Sequence, residues 1–159
     1  MGVSPLEKIQ PSFGAFIWGM VATVPLGAGL AWMLTTEWPP IRRLVALVTA
    51  QIGPALAGCS AAELGVLAVA AGVSEEALFR GVIQAGLTRA LPAWLALVLA
   101  SAAFGLVHFA SRTYTVLAGI IGVYLGALFL VQGSLLAPIV THALYDFVAL
   151  LYVARRGPG

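Results

Sequence analysis

Apolar residues run along this chain in blocks long enough to cross a membrane, and polar residues mark where the blocks stop. Positions 13–34 carry no charge at all, a stretch of transmembrane length, with Pro25 predicting a bend. A cleaved signal peptide has a shorter apolar region, about 7–15 residues, and a small-residue cleavage site. The run is therefore expected to remain as a helix, behind a polar lead over 1–12 that contains Glu7 and Lys8. Thr35 to Pro40 reads as a loop, with Trp38 suited to the membrane–water interface. Arg42 and Arg43 precede a second span over 44–58, interrupted at Pro54. A third apolar run covers 61–87 and admits two readings. It is one long helix, or it breaks at Gly72-Val73-Ser74, where Ser74 would cap a new helix with Glu75 and Glu76 in its first turn. Further spans are expected over 93–110, 114–131 and 133–153, separated by Ser111-Arg112-Thr113 and Gly133-Ser134. The expected fold is all-α: a polytopic membrane helical bundle of about six transmembrane helices, forming a single membrane domain over 1–159. An even number of spans puts both termini on one side. Lys8, Arg112, Arg155 and Arg156 balance Arg42, Arg43 and Arg89, so the positive-inside rule leaves both orientations open.

Composition agrees with the pattern. Hydrophobic residues make up 61% of the 159 and charged residues 9%, where soluble domains carry about 25% charged. Mean hydropathy is +1.02. The net charge of +2 argues against a nucleic-acid partner, because the basic residues lie singly or in pairs near loops. The single cysteine, Cys59, excludes an internal disulfide and a cysteine-built metal site, and reads as a packing residue.

The charges that do enter the apolar runs are costly, about 2.5–3.5 kcal/mol each at mid-bilayer on insertion scales. Glu75, Glu76 and Arg80 fall in one short segment. Glu76 and Arg80 are four apart and share a helix face, while Glu75 is turned from Glu76 by about 100°. One carboxylate can thus be held by Arg80 while the other meets a separate partner. A pair that only orients helices would not need the like-charged neighbour Glu75. His142 and Asp146 repeat the four-residue spacing, and His108 lies on the face of Phe104. Together these residues offer what peptide hydrolysis needs: a base for water, oxyanion donors and an acid for the leaving amine. Glu75, Glu76 and Asp146 against Arg80 leave a formal −2 with neutral histidines. A dry site then requires a protonated carboxyl, an imidazolium or a bound cation. Glu75, His108 and His142 would suffice for a catalytic zinc with an open position, but no His-Glu-x-x-His helix exists, and metal-dependent and metal-free chemistry both fit. Ser74 and Ser111 read as caps or turn residues and not as nucleophiles.

These residues resemble the CPBP family of intramembrane proteases, also called the Abi or type II CAAX prenyl endopeptidase-like family. Its marks are Glu-Glu-x-x-x-Arg, Phe-x-x-x-His and His-x-x-x-Asn or Asp. They stand here as Glu75-Glu76-Ala77-Leu78-Phe79-Arg80, Phe104-Gly105-Leu106-Val107-His108 and His142-Ala143-Leu144-Tyr145-Asp146, in the family's order, within 72–150. The resemblance implies that Glu75 with His108 activates water. It implies that His142 and the residue at 146 bind the oxyanion, and that Glu76 and Arg80 order the site. An ionised Asp146 cannot donate to an oxyanion, so it is protonated or it orients His142. Eukaryotic relatives trim prenylated proteins. The shortness of this chain points to a bacterial member in the cell membrane, and such relatives are linked to bacteriocin maturation, self-immunity and scaffolding.

The expected function is therefore an intramembrane endopeptidase with peptide or protein substrates in the lipid bilayer. The alternative is a non-catalytic immunity or scaffold protein that binds a peptide partner. Intramembrane Glu, His and Asp also serve transport, but no repeated broken-helix halves are visible.

Overall fold

A computed structural model describes residues 9–156. Glu7 and Lys8, with Lys8's share of the charge balance, lie outside the described residues. Six helices follow one another: α1 (Phe13–Thr35), α2 (Pro39–Leu56), α3 (Ala61–Leu87), α4 (Ala93–Val107), α5 (Arg112–Gln132) and α6 (Leu136–Arg156). No strand occurs among the described residues. The architecture is the all-α bundle expected.

Local chemistry sets the helix ends. Ser12 accepts a hydrogen bond from the Ala15 N–H and starts α1. Ser60 and Glu63 form a reciprocal capping box at α3, which satisfies two amide donors that a helix start leaves unpaired. Ser111 accepts from the Tyr114 N–H at the start of α5, and Gly133 ends that helix at φ 64°. Pro39 and Pro40 belong to the first turn of α2 and not to a loop, because the first turn leaves its amides unpaired anyway.

The 61–87 run is one continuous helix. Ser74 does not cap a new one; its hydroxyl donates back to the Ala70 carbonyl at 2.8 Å. The irregularity lies further on, where Ala77–Gln84 is wound as a π-helix. Such insertions are uncommon and often accompany functional sites.

Three helices are each long and apolar enough to cross a membrane: α1, α5 and α6. The α2–α3 pair meets the same test jointly but is bent by 117° at its junction, and α4 is a shorter apolar helix. Outward-facing Phe13, Val66, Val116 and Val131 are well exposed, as suits contact with lipid chains.

The last helix organises the packing. α6 lies against α1, α2, α3 and α5, while α4 packs on α5 and on the π-helical part of α3. Membrane helices approach closely where residues are small, and two glycines permit the contacts nearest the polar residues. A Cβ at Gly72 would meet the Ile139 carbonyl and the Ala143 amide at 3.2 Å, and one at Gly105 would meet the Thr115 carbonyl at 2.6 Å. Gly105→Val is accordingly expected to push α4 from α5 and to destabilise the bundle by about 1–3 kcal/mol, the range for overpacking. A lowered thermal midpoint of the detergent-solubilised protein would register it, and an unchanged midpoint would contradict it.

Candidate active site

Three helices deliver the polar side chains to one place. α3 carries Glu75, Glu76 and Arg80, the C-terminal end of α4 carries His108, and α6 carries His142 and Asp146. The structure brings all six together.

Glu76 is the buried anchor. Its side chain is 0% exposed. Its Oε1 accepts from His142 Nδ1 at 2.8 Å and lies 3.1 Å from Arg80 Nη1. The arginine contact is an ion pair by distance but lacks hydrogen-bond alignment. Arg80 is itself held from two other sides. Nη2 donates to the Gly122 carbonyl at 2.8 Å, and the guanidinium sits 4.7 Å above the Phe104 ring, a favourable cation–π distance.

Glu75, one position earlier, has a different environment. Its side chain is 29% exposed, and its Oε2 lies 3.4 Å from His108 Nε2 and 3.9 Å from His142 Nε2. The rotation between adjacent helical residues thus gives the two carboxylates separate environments: one locked in the core, the other partly exposed and facing two imidazoles.

Geometry assigns protons on the histidines. His108 Nδ1 lies 2.8 Å from the Phe104 carbonyl. A carbonyl only accepts, so Nδ1 carries the hydrogen and Nε2 is the atom offered to Glu75. His108 occupies the cap position just past α4, and its ring packs on Phe104 with centroids 4.4 Å apart. His142 has carboxylates at both nitrogens, Glu76 at Nδ1 and Asp146 Oδ2 3.4 Å from Nε2. Acceptors on both sides suit a doubly protonated ring, one of the three ways expected of relieving the excess negative charge.

Among the described residues no group of three His, Cys, Asp or Glu side chains has the arrangement of a metal site. Glu75, His108 and His142 do converge, but they do not form such a ligand set in this structure.

A cavity of about 330 Å³ lies between α1, α2, α5 and α6. Its walls are largely apolar, with Leu30, Leu44, Val48 and Ile121 among them, and His108, His142 and Asp146 line its polar end.

Sequence reasoning passed over Gln84. This side chain is 0% exposed and donates to the Gly126 carbonyl at 3.1 Å, one turn beyond the Arg80–Gly122 bond. The two bonds tie the π-helical segment to α5. An uncharged polar residue four places after Arg80, on the same apolar run, was the available signal. Tyr114 and Tyr145, which also line the cavity, offered none in one dimension.

A helical bundle with ionisable side chains gathered inside it, reached from an apolar cavity, is the architecture of an integral membrane protein built around a polar centre. The chain belongs to the type II CAAX prenyl endopeptidase Rce1-like family, whose description matches residues 58–148, more than half of the chain and the whole of the polar centre. That family is one of CAAX-type intramembrane proteases. No curated protein and no solved structure matches the chain significantly.

Proposed function

We propose that this chain is a multi-pass endopeptidase of the bacterial cell membrane that hydrolyses peptide bonds in membrane-associated substrates. The observation that carries this reading is the asymmetry of the two glutamates. Glu75 is partly open and faces the Nε2 atoms of both histidines, whereas Glu76 is sealed between Arg80 and His142. Glu75 acts as the base that deprotonates water, in concert with His108, whose Nε2 is free to share that proton. Glu76 and Arg80 hold His142 in place. Asp146, 3.4 Å from His142 Nε2, orients the other side of the same ring.

The apolar cavity favours a substrate that arrives through the lipid phase, a lipidated peptide or a hydrophobic helix of bacteriocin type. Its polar end is where a scissile carbonyl would meet the water activated by Glu75.

The test compares peptide termini in membrane fractions of the source organism carrying wild type or Glu75→Gln at matched protein levels. New termini that need an intact Glu75 would support proteolysis and identify substrates together. Identical termini would overturn the peptidase reading in favour of a binding or immunity role.

A further inference from the structure

Water addition to a peptide carbonyl puts negative charge on the carbonyl oxygen, and donors must already stand where that charge appears. The six clustered residues supply few. His142 Nε2 stands 3.4 Å from Asp146 at ion-pair distance and is the one ring nitrogen left open; the ring's other nitrogen is turned to Glu76. Arg80 is 1% exposed and donates to Gly122. His108 Nδ1 is committed to Phe104. An asparagine at 146 would have an amide N–H to offer, and the aspartate has none when ionised.

Tyr114 carries a further hydroxyl donor on the wall of the same cavity. It lies in the first turn of α5, fixed there by its own amide, which donates to Ser111 Oγ at 3.2 Å. Its ring packs edge-on against His108, centroids 6.1 Å apart. The side chain borders the cavity beside His108, His142 and Asp146. Its hydroxyl makes no hydrogen bond to any described residue. Tyr145 also borders the cavity, but from α6, one residue before Asp146, whereas Tyr114 is the one whose ring packs on His108.

Resting on the peptidase reading, we infer that Tyr114 is a further catalytic residue whose hydroxyl donates to the oxyanion formed on the scissile carbonyl. Glu75 removes a proton from water as the water oxygen bonds to the carbonyl carbon. The π pair of the C=O bond moves onto oxygen, and the Tyr114 O–H hydrogen-bonds to it while keeping its own proton. Collapse restores C=O, the C–N bond breaks, and the leaving amine takes the proton held by Glu75. Substrate and water become an acid and an amine with no other reactant.

The experiment follows the rate at which termini dependent on Glu75 appear in membranes of the source organism, for variants at matched protein levels. Tyr114→Phe keeps the ring against His108 and should lower the rate about 10²–10³-fold, the cost of one oxyanion donor. Adding Asp146→Asn to Tyr114→Phe should restore part of that loss, because the new amide can donate; a purely structural tyrosine would show no such rescue. Tyr145→Phe should cost less than Tyr114→Phe. Wild-type rate in Tyr114→Phe, or equal losses for the two tyrosines, would overturn the inference alone. A wild type that produces no termini dependent on Glu75 would overturn the peptidase reading, and the inference with it.

Discussion

Glu75→Gln is expected to reduce peptide cleavage about 10²–10⁴-fold, the usual contribution of a positioned general base. The amide matches the carboxylate in shape but cannot take a proton from water. The side chain is partly exposed and Arg80 pairs with Glu76, so the substitution leaves the buried ion pair intact and the fold with it. Geometry adds a sharper expectation. Glu75 Oε2 and His108 Nε2 are 3.4 Å apart and in the proposed mechanism share one proton, and residues that act as a unit give strongly non-additive losses. His108→Gln and the Glu75→Gln/His108→Gln pair should therefore fall to nearly the same residual rate as Glu75→Gln. Initial rates of product formation in membranes would show this. A double variant slower by the product of the two single losses would mean that the residues work in separate steps.

Arg80→Met is expected to cost the most stability of any single change in the bundle, about 3–5 kcal/mol, the range for stranding one member of a buried ion pair. Glu76 is 0% exposed, and without the guanidinium its remaining polar partner among the described residues is His142. Methionine keeps an unbranched stem of similar length and removes the guanidinium, with its pairing to Glu76, its bond to Gly122 and its place over Phe104. Replacing both partners by groups without charge is often close to neutral. Glu76→Gln combined with Arg80→Met should thus regain most of the thermal midpoint in detergent. It should not regain wild-type cleavage, because His142 would keep a neutral acceptor at Nδ1 in place of an anion. A double variant as unstable as Arg80→Met would instead locate Arg80's contribution in its bond to Gly122 and its contact with Phe104.

Much of the polar centre is local and could be read along one helix at a time. Glu76 with Arg80, His142 with Asp146, and His108 against Phe104 are all four residues apart, and all three pairs meet, because 3.6 residues per turn brings such positions onto one face. The apolar runs likewise located the six helices to within a few residues. The caps at Ser60 and Ser111 follow from side-chain chemistry that acts over three residues.

What no single helix contains is the choice of partner across helices. His142 takes Glu76 at one nitrogen and approaches Glu75 and Asp146 with the other. That pairing depends on how α3 and α6 are rotated about their axes and how closely they approach at Gly72. The same holds for Tyr114, which gives no signal in one dimension and meets His108 because α5 packs on α4 at Gly105. The π-helical turn after Glu76, the 117° bend between α2 and α3, and the cavity are further consequences of helices fitting one another. Helix periodicity dictated which residues share a face; the packing of six apolar helices decided which faces meet, since rotation and separation are set by the shapes of all neighbours at once and are encoded in no one stretch of chain.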